Sequence, residues 1–183
     1  FGAGGIGLCA ISAAAVVDAY PIIAVDIDSQ KLAFAQCMGA THGVNAKEVD
    51  AVQAIKDITG VGADYAIDAI GLPLTQEQIL RSVRPGFSGL NQGGIALLVG
   101  ITPPDAKALI DTSLFIGNRS FKRTSGGDCK PERDFPIFLR WFRDGKLKLN
   151  ELITNRYKLE QINQAVDDLE HGRILGRGIL TFE

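Results

Sequence analysis

Six residues near the start of the chain carry the clearest chemical signal. Gly2-Ala3-Gly4-Gly5-Ile6-Gly7 is a G-x-G-x-x-G run. Its first glycine permits a tight turn, its second lets backbone approach a pyrophosphate, and its third lets a helix pack closely on a strand. An apolar helical pattern follows at once, so that helix points its N-terminal amides and positive dipole end at the same place. The next strand pattern ends at Asp26, 19 residues beyond Gly7. A carboxylate there can accept hydrogen bonds from the ribose hydroxyls of an adenosine, and it repels a 2′-phosphate. The pair reads as a site for NAD rather than NADP. Two other readings share these residues. The run can be a structural turn with Asp26 a helix cap. Methyltransferases using S-adenosylmethionine also place glycines after a first strand and an acid after a second. The third glycine favours the dinucleotide, because it seats a pyrophosphate that the methyl donor lacks.

The elements that would position these residues alternate. Ile22 to Val25 is a buried-strand signal ended by Asp26, and Ser29 to Met38 reads as a helix capped by Asp28. His42 to Asn45 is a short strand, Glu48 to Thr59 a helix stopped by Gly60, and Ala63 to Asp68 a strand. Pro73 to Val83 is helical and Gly94 to Val99 is a strand. Strands without polar alternation, separated by helices, indicate a parallel sheet covered on both faces. Beyond about Thr102 the pattern changes. Leu114 to Phe121 reads as an extended run, Glu132 to Asp144 and Leu159 to Glu170 as helices, and Ile179 to Phe182 as a final strand.

Composition excludes several classes. Among 183 residues, 19 Lys+Arg against 21 Asp+Glu leave a formal charge of −2. That balance gives no reason to expect nucleic acid or an anionic membrane as partner. Cys9, Cys37 and Cys129 are far apart and form no metal-ligand spacing. They read as core or surface thiols in a reduced cytoplasm, and His42 and His171 as bystanders. No metal-ligating or catalytic constellation is expected in the chain. No signal peptide or membrane-spanning run is found. Phe1 is not Met and the glycine loop begins at residue 2, which reads as truncation.

The glycine loop, Val25-Asp26-Ile27-Asp28 and Met38-Gly39-Ala40-Thr41 together resemble the zinc-dependent medium-chain alcohol dehydrogenase family. So do Asp64-Tyr65, Ile70-Gly71, Val99-Gly100-Ile101-Thr102-Pro103-Pro104 and the tail Arg177-Gly178-Ile179-Leu180-Thr181-Phe182. The matches run in family order over essentially the whole chain. The resemblance implies the NAD-binding half of such an enzyme, with a doubly wound parallel sheet (a Rossmann fold) lacking its first strand. The implied pyrophosphate loop is Gly2, Gly4, Gly5, Ile6 and Gly7, the ribose-binding acid Asp26, and the adenosine-side lysine Lys31. Ile70, Gly71, Val99, Gly100 and Ile101 would line the nicotinamide side, and Arg177 would pair with the cofactor phosphates.

Family members are about twice as long, and the resemblance places zinc and the proton relay in a catalytic half outside this chain. Residues 1–125 would form the dinucleotide-binding domain, and residues 126–183 would return to the catalytic domain. The implied reaction is hydride transfer between an alcohol and NAD, which the fragment alone would not perform. The family also implies a homodimer joined edge to edge through Leu114 to Phe121. Two alternatives stand beside this reading: a zinc-free quinone or enoyl reductase of the same superfamily, disfavoured by Asp26, and a non-catalytic NAD-binding module.

Overall fold

The computed structural model describes residues 1–87 and 89–182. Its short apolar runs form parallel strands, the earlier ones joined by helices long enough to cross back. The first helix, α1 (Gly5–Val16), is apolar nearly all round and buries Gly7, Leu8, Ile11 and Ser12. β1 (Ile23–Asp26) and β2 (His42–Asn45) pair in parallel, with Ile23 opposite His42. Between them α2 (Ser29–Cys37) starts at Asp28, whose carboxylate accepts the Gln30 N–H at 2.8 Å. α3 (Ala51–Thr59) starts later than its apolar spacing suggests, because Asp50 caps it by accepting the Gln53 N–H. β3 (Tyr65–Asp68), β4 (Ile95–Leu98) and β5 (Ser120–Arg123) form a second parallel sheet in that order, and α4 (Pro73–Ser82) links its first two strands.

The two sheets meet at Phe1. Its amine donates to the Ile67 carbonyl at 2.7 Å, and its carbonyl accepts the Ala69 N–H at 2.9 Å. On the other side the Gly2 N–H donates to the Val25 carbonyl. With Phe1 and Gly2 in the central place, the spatial order is β2, β1, Phe1, β3, β4, β5. That is the doubly wound order 3-2-1-4-5-6 with only the tip of the first strand present. Helices lie on both faces. Ala24 of β1 belongs to a core with Leu8, Ile11, Leu32 and Met38, whereas Val25 turns to Val44, Ala51 and Ile55. A third core joins Ile79, Leu80 and Val83 of the α4 region to Ala66 and Ala96. Phe1 packs against both of the latter two.

Leu114 to Phe121 is not one extended run. Asp111 accepts the Ser113 N–H and caps a 3-10 turn over Thr112–Gly117, closed by Asn118 in the left-handed region at φ 51°. The Arg119 guanidinium then donates to the carbonyls of Val83 and Leu114, folding the segment back on itself. Burial pushes the Arg119 pKa down. Only Ser120 and Phe121 of the run enter β5.

Downstream, α5 (Pro131–Arg143) has no buried residue and leaves Phe135, Phe138 and Leu139 exposed. β6 (Ile153–Lys158), which the sequence reading missed, pairs in parallel with β7 (Arg177–Thr181). Its alternating polar residues hide a strand that is buried only at points such as Tyr157. Between the two strands a 3-10 turn, Leu159–Gln161, leads into α6 (Ile162–Glu170). The Tyr157 hydroxyl donates to Asp168, which Arg173 also engages at 2.6 Å. Hydrogen bonds from Arg173 and Tyr157 hold the Asp168 carboxyl below its usual range. This unit leans on the first core through Leu152. Among the described residues no helix is long and apolar enough to cross a membrane.

Candidate cofactor site

The glycine loop sits where the carboxyl end of the central strand would open. Gly2 takes φ +89°, a backbone region that L side chains rarely adopt, and turns the chain from the sheet toward α1. A Cβ on Gly7 would stand 1.7 Å from the Gly2 carbonyl oxygen, so only glycine allows the helix to begin this close. A Cβ on Gly4 would meet nothing within 4 Å. The second glycine therefore faces open space, the condition a close-approaching ligand needs. Ile6, on the same turn, is about half exposed.

Asp26 is tied to the loop rather than held apart from it. Its Oδ2 accepts the Ala3 N–H at 2.7 Å, while Oδ1 accepts the N–H groups of Ile27 and Asp28. Three backbone donors engage the carboxylate and lock the end of β1 to the turn. Oδ2, with a single donor, keeps lone-pair capacity for a hydroxyl. The cap of α2 is Asp28, so Asp26 is not the helix cap of the alternative reading; its amide partners lie in the glycine loop and in the turn before α2.

Arg177 arrives from the far end of the chain. A Cβ on Gly5 would stand 2.6 Å from its Nε, so the guanidinium lies over the first turn of α1. Cation, loop amides and helix N-terminus then share one polarity, suited to a phosphate. The Lys31 ammonium lies beside Gly172 at the end of α6, 3.6 Å from where a Cβ there would stand.

The remaining expected residues form the other flank. A Cβ on Gly2 would stand 2.6 Å from Ile70 Cγ1, which brings the turn after β3 against the glycine loop. Gly71 takes φ +95°, and its Cβ position is filled by the Ile101 backbone. The corresponding position on Gly100 is filled by Gly71 and Ile70. The Val99 and Gly100 amides both donate to the Asp68 carbonyl. Ile101 is 83% exposed and projects from this pair of crossed turns.

Sequence reasoning missed what holds that flank. Asp68 is fully buried, and its carboxylate accepts the N–H groups of Ile70 and Gly71 and lies 3.0 Å from the Thr75 hydroxyl. Gln76, also buried, donates to Thr102 Oγ1 at 2.5 Å. The signal was present. Asp68 ends its strand as Asp26 ends β1, two residues before Ile70-Gly71. In a polypeptide that begins at Phe1, burial pushes the α-amine down to about 6, opposed by the charges of Asp68 and Asp26. Among the described residues no group of three or more His, Cys, Asp or Glu is arranged to hold a metal ion. Cys9, Cys37 and Cys129 are free thiols.

The family model described as zinc-binding dehydrogenase matches residues 5–144. The geraniol dehydrogenase of Castellaniella defragrans is 33% identical, over all of this chain and 47% of its own length. The NDMA-dependent alcohol dehydrogenase of Amycolatopsis methanolica is 32% identical, over 98% of this chain and 47% of its own. Among solved structures, an alcohol dehydrogenase zinc-binding domain protein from Burkholderia ambifaria superposes with a TM-score of 0.90 at 37% identity, covering 100% of this chain and 47% of that one. Benzyl alcohol dehydrogenase from Acinetobacter calcoaceticus gives 0.89 at 32%, covering 100% and 48%. The chain spans about half the length of the curated relatives it matches.

Proposed function

The chain belongs to the zinc-binding dehydrogenase family, and we propose that it supplies the NAD-binding portion of a zinc-dependent alcohol dehydrogenase. The observation that carries this reading is the meeting of Arg177 with the glycine loop. Residues 172 positions apart converge on Gly5, beside an open Gly4 and an Asp26 already oriented by backbone amides.

In this reading Gly2, Gly4, Gly5, Ile6 and Gly7 seat the pyrophosphate, and Arg177 neutralises it. Asp26 holds the adenosine ribose and rejects a 2′-phosphate, and Lys31, on the first turn of α2 with its ammonium beside Gly172, adds a cation on the adenosine side. Ile70, Gly71, Val99, Gly100 and Ile101 line the nicotinamide end, where crossed backbone and exposed apolar side chains exclude water. NAD, when bound, supplies the hydride acceptor for an alcohol. Zinc and the proton relay belong to the part of the enzyme outside these residues. The unburied apolar faces of α5 and α6 support a return of residues 126–183 toward that part, with residues 1–125 as the cofactor domain. Three free thiols suit a reducing compartment such as the cytoplasm.

The dimer proposal moves with the structure. β5 pairs only with β4 among the described strands, so its outer edge is available for a two-fold sheet extension. The pairing edge is Ser120–Arg123, with the 3-10 turn Thr112–Gly117 and its exposed Ile116 beside it.

Calorimetric titration of the full-length protein with NAD, NADP and S-adenosylmethionine tests the reading. NAD binding at least about tenfold tighter than NADP, with no binding of the methyl donor, is the expected outcome. Equal affinity for NAD and NADP would overturn the cofactor assignment, and preference for the methyl donor would overturn the class.

A further inference from the structure

A second acid, buried deeper than the one the glycine loop announces, is held by hydrogen bonds at the end of the next strand. Asp68 is fully buried, and its carboxylate takes its hydrogen bonds from the Ile70 and Gly71 amides and the Thr75 hydroxyl. Burying a carboxylate among neutral donors is costly unless its hydrogen bonds are needed where they are made. Here they are all made at the carboxyl ends of β3 and β4, where open α/β sheets bind ligands. Oδ1 accepts the Ile70 N–H at 3.0 Å, and both oxygens accept the Gly71 N–H at 3.1 Å. The Asp68 carbonyl accepts the amides of Val99 and Gly100. One residue therefore fixes both turns.

Helix α4 completes the clamp. The Thr75 hydroxyl lies 3.0 Å from Asp68 Oδ1 and 2.9 Å from the Leu72 carbonyl, and its single proton serves either. Gln76 reaches past Gly71 to Thr102 Oγ1. Because the Cβ position of Gly71 is occupied by Ile101 backbone, and that of Gly100 by Gly71, neither turn can shift without moving the other. A displaced Ile70 would also lose its seat against Gly2.

We propose that Asp68, with Thr75 and Gln76, is a positioning residue for the nicotinamide end of the cofactor, acting through the crossed Ile70–Gly71 and Gly100–Thr102 turns. This rests on the cofactor reading above and adds to it a divided site. Asp26 and the glycine loop hold the adenosine diphosphate, and Asp68 sets the shape of the other half.

The test uses two probes on the full-length protein: NAD, and ADP-ribose, which keeps the adenosine diphosphate and lacks the nicotinamide ring. Asp68→Asn turns an amide donor toward the Gly71 N–H. It should weaken NAD about tenfold while leaving ADP-ribose within about twofold. Thr75→Val should weaken NAD in the same direction by a smaller factor, and Thr75→Ser, which keeps the hydroxyl, should restore it. If Asp68→Asn does not fold, the Thr75 pair decides. Equal losses for both probes, or no loss for NAD, would overturn the assignment and leave the cofactor reading standing. A parent protein that binds neither probe would overturn both.

Discussion

Two neighbouring glycines should fail in opposite ways when replaced by alanine. At Gly7 the new Cβ would stand 1.7 Å from the Gly2 carbonyl oxygen. A carbon–oxygen contact of about 3.3 Å is the usual close limit, so the start of α1 must retreat by roughly 1.6 Å. That movement pulls on the Gly2 N–H bond to Val25, the Ala3 N–H bond to Asp26 and the burial of Leu8 and Ile11. Overpacking of this kind costs about 1–3 kcal/mol, and one loosened hydrogen bond adds about 1 kcal/mol. The expected destabilisation is therefore about 3 kcal/mol. At Gly4 the backbone lies at φ −81°, ψ −170°, which alanine adopts freely, and the methyl group meets nothing within 4 Å. Losing a glycine N-cap and gaining rigidity in the unfolded chain nearly cancel, so stability should change by less than about 0.5 kcal/mol. The methyl group instead enters the space assigned to the pyrophosphate and should weaken NAD at least about tenfold. Urea unfolding and NAD calorimetry on both variants read the contrast. The reasoning fails if Gly7→Ala unfolds at the parent's urea midpoint, or if Gly4→Ala binds NAD as well as the parent does.

Asp26→Ala should narrow or reverse the preference for NAD over NADP, read as the ratio of the two dissociation constants. Because Asp26 also accepts the Ala3, Ile27 and Asp28 amides, the variant should lose about 1–3 kcal/mol of stability in urea as well. Ile116→Pro should be followed by sedimentation for loss of dimer, and Lys122→Pro, placed within β5, should act more strongly. A dimer that survives both rules out this edge. In a polypeptide that begins at Phe1, burial lowers the α-amine from its usual 8.0 to about 6. The unfolded state then binds the proton more tightly, so this group's stability contribution is fully present above pH 8. It is lost as pH falls toward 6, by about 3 kcal/mol in total. Denaturant titrations at pH 8.5 and 5.5 on this chain and on one extended before Phe1, where the amine becomes an amide, isolate the effect. Equal pH dependence in both would refute it.

The sequence by itself determined the elements whose signals are local. The alternation of apolar runs and capped helices gave β1 through β4 and α1 through α4 to within a few residues, because Asp28, Gly60 and Pro73 each act on their own neighbours. The glycine loop and Asp26 were legible for the same reason: spacing along one strand–turn–helix unit fixes where the ligand-facing groups emerge. Tertiary structure decided everything that depends on distant partners. Leu114 to Phe121 has the composition of a strand, yet Arg119 bonding to Val83 and Leu114 folds its first half into a 3-10 turn. β6 shows no buried face in its sequence, because its order comes from pairing with β7 and from Tyr157 meeting Asp168. The role of Asp68 was hidden as well. An acid at a strand end is polar in the sequence, and only the crossing of two turns over it makes it a buried clamp. Arg177 reaches Gly5 because the unit of β6, α6 and β7 leans on the first core through Leu152, an encounter set by packing over the whole length of the chain.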